Sequence, residues 1–174
     1  SDIMRLRNLK DKDVLLANCH YLITDPFNYK GKWNSLFGND QAIFLEIGMG
    51  KGDFIYEMAK KHPNINFVGI EKYSNVLARA IKKYPEGLAN LKVINLDALQ
   101  LQDVFLQEID TIYLNFSDPW PKVRHQSRRL TSEVFLNIYD SLFKDTKRIV
   151  MKTDNLGLFA SSLVSLSNHG YIFR

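Results

Sequence analysis

Ala42-Ile-Phe-Leu-Glu46-Ile-Gly48-Met-Gly50-Lys-Gly52-Asp53-Phe-Ile-Tyr-Glu-Met-Ala-Lys-Lys61 changes its hydrophobic period halfway along. Ala42 to Ile47 is a short apolar run ended by Gly48, which predicts a buried strand. From Asp53 to Lys61, Phe54, Ile55, Met58 and Ala59 recur at helical spacing. The glycines between the two let the backbone turn tightly and approach a ligand closely. Their Gly-x-Gly-x-Gly spacing departs from the dinucleotide fingerprint Gly-x-Gly-x-x-Gly. Gly50-Lys51-Gly52 also lacks the Ser or Thr that follows the lysine of a phosphate-binding P-loop.

The same alternation continues downstream. Asn66 to Ile70 predicts a second strand, ending at Glu71, and Ser74 is positioned to cap a helix carrying Val76, Leu77, Ala80 and Ile81 before Pro85. Leu91 to Leu96 predicts a third strand, ending at Asp97. A short helical stretch near 99–106 leads to a fourth strand, Thr111 to Phe116. A helix follows from Thr131, then a fifth strand from Arg148 to Lys152, a helix over 156–167 and a strand fragment from Tyr171 to Phe173. Upstream, Asp25 and Pro26 suit the start of a helix that buries Trp33, Leu36 and Phe37 and stops at Gly38. Residues 1–25 form a basic N-terminal arm, and 26–174 form a single α/β domain with a mainly parallel sheet and helices on both faces.

Ligands of such sheets bind beyond the carboxyl ends of the strands. Glu46, Glu71, Asp97, Asp118 and Asp154 all fall near those ends. One such acid is ordinarily a cap or a loop residue, but five in one registry point to a ligand. Glu71 lies at the distance from the glycine loop where an acid meets ribose hydroxyls, Asp97 suits an adenine amino group, and Glu46 suits an ammonium. Ribose, adenine and a cationic amino acid combine in S-adenosylmethionine, whose charge the surrounding acids favour.

The fourth strand runs into Asn115-Phe-Ser-Asp118-Pro-Trp120-Pro-Lys122-Val-Arg124-His125. Two prolines stiffen an acid and an aromatic ring, and Arg128 and Arg129 follow at once, a combination suited to a heteroaromatic base on a phosphate backbone. Trp120 reads equally as a stacking platform or as packed core. The net charge of +4 is modest, so the clustering of basic residues at Arg5, Arg7, Lys10 and Lys12 and again at 122–129 says more than the total. Hydrophobic residues make up 45% and charged ones 24%, as in ordinary globular chains. No apolar run reaches the length of a membrane span, which predicts a cytoplasmic protein without a membrane partner. The single Cys19 has no disulfide partner, and no zinc-site spacing is present, so no metal is expected.

Taken together, Glu46-Ile-Gly-x-Gly-x-Gly, Glu71, Asp97, the Asn115 to Lys122 segment, Arg124-His125, Arg128-Arg129-Leu130 and Lys152-Thr-Asp154-Asn155 closely resemble the bacterial tRNA (guanine-N7-)-methyltransferase family. The resemblance implies a class I (Rossmann-like) fold, S-adenosylmethionine as donor and a guanosine of the tRNA variable loop as acceptor. It carries cofactor contacts onto Glu46, Gly48, Gly50, Glu71, Asp97 and Asp118, and a catalytic role onto Asp118. Substrate contacts fall on Lys122 and Asp154, and RNA contacts on Arg124, His125, Gln126, Ser127, Arg128 and Arg129. Val123 stands where a second lysine is expected, and the family's C-terminal Thr-x-Tyr-Glu segment is absent. The expectation is therefore a C-terminally truncated domain that lacks its last strand or strands and presents an open sheet edge. Two rival readings stay open: a methyltransferase of the same fold acting on an amino group, and a non-catalytic RNA-binding module. A nicotinamide-dependent oxidoreductase is disfavoured by the glycine spacing.

Overall fold

A computed structural model describes residues 19–85 and 87–174. Five parallel strands, β1 (Ile43–Ile47), β2 (Asn66–Glu71), β3 (Leu91–Asn95), β4 (Thr111–Asn115) and β5 (Ile149–Lys152), form one sheet in the order β3-β2-β1-β4-β5. The chain order reverses between β1 and β4, which opens a crevice at their carboxyl ends. β2 is buried at every residue, as expected of a parallel strand covered on both faces.

The described residues hold five α-helices: α1 (Trp33–Phe37) ahead of β1, α2 (Asp53–Lys61), α3 (Ser74–Lys83) and α4 (Glu133–Asp140) between strands, and α5 (Leu156–Asn168) after β5. On one face of the sheet, Ile55, Ala59, Leu77 and Ile81 pack on Phe67 and Val93. On the other, Trp33, Phe105, Leu136 and Tyr139 pack with Leu45, Ile112 and Leu114.

Several sequence expectations are corrected. The helix expected from Pro26 to Gly38 is two pieces, a 3-10 turn at Pro26–Tyr29 and α1, separated at Gly31 with φ 77. Asp25 makes no side-chain cap; instead the Glu108 carboxylate accepts from Gly31 N (3.0 Å) and Trp33 N (2.9 Å). Ser74 is the first residue of α3 rather than its cap, and the helix expected from Thr131 begins at Glu133. Tyr171 to Phe173 form no strand, so β5 is a sheet edge with no partner beyond it among the described residues.

Most of the expected basic arm lies outside the described residues. Its last part runs beside β3, where Leu22 bridges Val93 in parallel, Ile23 N donates to Val93 O (2.9 Å) and Val93 N donates to Tyr21 O (2.8 Å). Among the described residues no helix is long and apolar enough to cross a membrane, and no cluster of three His, Cys, Asp or Glu side chains could hold a metal.

Candidate active site

The loop between β1 and α2 folds back over the end of β2. Gly48, Gly50 and Gly52 take φ values of 72, 55 and 79, which a side chain would strain. Gly48 N and Met49 N both donate to Ile70 O at 3.0 Å, and Gly50 N donates to Glu71 Oε1 at 3.1 Å. The second oxygen of Glu71 accepts from Tyr73 N at 2.9 Å. This buried carboxylate therefore braces the glycine loop and the entry to α3, with lone pairs left over for a ligand.

A cleft of about 860 Å³ opens above this loop, within the range of small-molecule sites. Gly48 and Gly50 form its base. Glu71, Lys72 and Tyr73 stand on one side, Asp97 and Leu99 beside them, and Phe116, Asp118 and Trp120 across from them. Asp97 Oδ1 accepts from Leu99 N at 3.0 Å and starts a 3-10 helix at Ala98–Asp103, while Lys72 Nζ lies 3.6 Å from Oδ2. Tyr73 and Leu99, both more than half exposed, give this part of the cleft apolar surface.

Glu46 lies behind the lining, 3% exposed. Its Oε2 accepts from Asn115 Nδ2 at 2.8 Å, whereas Oε1 has no partner, and neither have Asn115 Oδ1 and the Ser117 hydroxyl. Burial pushes the Glu46 carboxyl up to about 7; the Asn115 hydrogen bond opposes the shift and the charge of Glu71 adds to it. Unpartnered acceptors at the ends of β1 and β4 are what an incoming ammonium would satisfy. These groups would suit S-adenosylmethionine: the buried acceptors its ammonium, the carboxylates of Glu71 and Asp97 its ribose and adenine, and the apolar surface of Tyr73 and Leu99 its base.

Across the cleft, the Asp-Pro-Trp-Pro turn follows one strained residue and contains another. Phe116 and Trp120 are left-handed, at φ 53 and 42, and all the peptide bonds of the turn are trans. Asp118 between them is exposed, and its carboxylate makes no hydrogen bond or ion pair among the described residues. Trp120 is half-buried rather than free: the Arg128 guanidinium sits 5.1 Å from its ring and His125 meets it edge-on at 5.5 Å.

The basic run from Val123 to Arg128 is a 3-10 helix without a buried residue. Lys122, Gln126 and Arg128 are exposed, Ser127 and Arg128 line the cleft, and Arg124 Nε contacts His125 Nε2 at 3.4 Å. Arg129 behaves differently. Its Nε donates to Pro119 O (2.8 Å) and its Nη1 to Ser161 Oγ (3.1 Å), which ties the turn to α5. Asp154 stands two residues beyond β5, exposed and outside the cleft lining. Sequence reasoning placed Asn115 and Phe116 within the motif at the end of the fourth strand but gave neither a role of its own, and it missed Lys72 and Tyr73, which the structure brings to the cleft.

Residues 40–173 match the model of a putative methyltransferase family. Over 172 residues the chain is 51% identical to the tRNA (guanine-N(7)-)-methyltransferase of Geobacillus kaustophilus (strain HTA426), covering 97% of this chain and 79% of that protein. It is 48% identical to the enzyme of the same name from Bacillus subtilis (strain 168), covering 97% and 81%. Among solved structures, the aminoglycoside resistance methyltransferase NpmB1 superposes with a TM-score of 0.59 at 17% identity, covering 80% of this chain and 68% of that one. The precorrin-6y C5,15-methyltransferase of Geobacter metallireducens GS-15 gives 0.59 at 15%, covering 96% and 74%. At these identities the structural likeness speaks for the fold alone.

Proposed function

The chain belongs to the tRNA (guanine-N(7)-)-methyltransferase family and transfers a methyl group from S-adenosylmethionine to N7 of a guanosine in tRNA, and we propose that the cleft between the glycine loop and the Asp-Pro-Trp-Pro turn is where it does so. The observation that carries this assignment is Asp118: an unpaired carboxylate on a stiff turn, opposite Glu71 and Asp97 and next to exposed cations.

When bound, S-adenosylmethionine supplies a methyl group on a positively charged sulfur, which the N7 lone pair of guanine can take without prior deprotonation. No general base is needed, so the protein's work is position and charge. Productive orientation can lower a barrier by roughly 7 to 11 kcal/mol in favourable cases. Asp118 accepts from the N1–H and amino group of the guanine edge and fixes the plane of the base. As the purine gains positive charge, the same carboxylate stabilises it. Glu71 and Asp97 hold the cofactor's ribose and adenine, Gly48 and Gly50 let it approach the backbone, and Glu46 answers its ammonium. Lys122 and Arg128, whose side chains make no hydrogen bond or ion pair among the described residues, take phosphates, with Arg124, His125, Gln126 and Ser127 beside Arg128 on the 3-10 helix. Asp154 contacts the substrate from the end of β5. The acceptor is a guanosine of the variable loop, and such a substrate puts the enzyme in the bacterial cytoplasm.

The test is to incubate the protein with unmodified tRNA and labelled S-adenosylmethionine and to identify the methylated nucleoside and its position. The expected product is 7-methylguanosine in the variable loop. A label on an exocyclic amino group, or cofactor binding without transfer, would overturn the reading.

A further inference from the structure

Phe116 is the first residue past β4, and two features set it apart from the other large apolar side chains. Its backbone is left-handed, at φ 53, a conformation that costs a residue with a Cβ and that glycine adopts freely. The residue is 65% exposed although it lines the cleft, and it belongs to neither hydrophobic cluster. No other aromatic ring lies against it among the described residues, whereas Trp120, four residues on, is covered by Arg128 and His125.

The strained backbone is held from outside the turn: Phe116 N donates to Lys152 O on β5 at 2.8 Å. Strained residues persist where the surrounding structure over-determines them, and they cluster at ligand sites. Here the strain gains no core packing for the ring. What it does is leave an aromatic face open to the cleft, two residues before Asp118.

We propose that Phe116 is a substrate-binding residue on whose ring the target purine of the RNA stacks while Asp118 holds the edge of that base. This rests on the reading given under Proposed function. A stacked ring restrains the base out of its plane and a carboxylate restrains it within the plane; together they orient N7. Stacking on an aromatic side chain tolerates any base, so Phe116 supplies affinity and orientation while the carboxylate supplies the preference for guanine. Trp120 is thereby assigned to the turn's own packing.

The experiment compares the wild-type protein with Phe116→Gly, Phe116→Leu and Phe116→Trp in three measurements: melting temperature, S-adenosylhomocysteine affinity, and tRNA affinity with methyl transfer. Glycine accepts the positive φ, so Phe116→Gly should melt at the wild-type temperature or higher. It should bind S-adenosylhomocysteine within about twofold of wild type, and its kcat/KM for tRNA should fall at least about tenfold, as expected for loss of one stacked base. Phe116→Leu should lose nearly as much, and Phe116→Trp should restore most of it. Unchanged tRNA affinity and turnover in Phe116→Gly would overturn the proposal, and so would a matching fall in S-adenosylhomocysteine affinity, which would place the ring on the cofactor. Were the wild-type protein itself to methylate no guanosine, the functional reading would fail, while the difference in tRNA affinity would still decide Phe116.

Discussion

The two walls of the cleft are built in opposite ways. On the wall formed by β1, β2 and β3, the carboxylates are already at work in the fold: Glu71 accepts from two backbone N–H groups, Asp97 starts a 3-10 helix and meets Lys72, and Glu46 is held by Asn115. On the wall after β4, the chemically useful groups are left over. The side chains of Asp118 and Lys122 have no hydrogen-bond or ion-pair partners among the described residues, and the ring of Phe116 is open. The first wall is a frame that a cofactor completes. The second is a stiff turn, anchored by Arg129, that presents free groups to a substrate.

Replacing a framing residue should cost stability as well as affinity. The heaviest loss is expected from Glu71→Ala, which strands the N–H groups of Gly50 and Tyr73: about 2–3 kcal/mol in denaturant unfolding, with weakened cofactor binding. Unchanged stability would break the contrast between the walls.

Glu46 sharpens the contrast through pH. Its carboxyl is raised from 4.5 to about 7, so the folded protein holds a proton there that the unfolded chain gives up. The stability linked to that proton is fully present below about pH 4.5 and is lost as pH rises through about 7. Glu46→Gln should therefore stabilise the cofactor-free protein by about 3 kcal/mol at pH 8 and by almost nothing at pH 4, while weakening cofactor binding. Denaturant melts at the two pH values check this, and an equal gain at both would contradict it.

Smaller effects separate two neighbouring arginines. Arg129→Ala removes two half-buried hydrogen bonds and should cost about 1–2 kcal/mol, leaving the salt dependence of tRNA binding unchanged. Arg128→Ala should leave stability within about 0.5 kcal/mol and flatten the salt slope by about one unit. The reverse pattern would exchange their roles.

What could be read from the sequence follows how local each signal is. The bounds of α2 emerged to the residue because the glycine loop and Pro63 punctuate a clear helical period. The start of α1 did not, because its N–H groups are satisfied by Glu108, a carboxylate 75 residues away in the chain. A strand at Tyr171 to Phe173 read plausibly from its apolar aromatics, but a strand exists only where an edge pairs with it. The strand-end acids could be picked out as a row, yet not their environments: Glu46 is buried, Asp118 is free, and Asp154 stands outside the cleft lining. Arg128 and Arg129 are indistinguishable as neighbours in a basic run; only the fold shows that one guanidinium covers Trp120 and the other reaches Pro119 and Ser161. Phe116 read as the end of an apolar strand, and its exposure and left-handed backbone leave no mark in the residue pattern.

The division between frame and free groups is tested most directly at Asp118, by the single-turnover rate of methyl transfer in Asp118→Ala with cofactor and tRNA both saturating. The account predicts a rate lower by about 100- to 1000-fold, as for loss of a preorganised charge at a reacting group, in a protein that melts within a few degrees of wild type. A near-normal rate, or a loss of rate explained by unfolding, would contradict it.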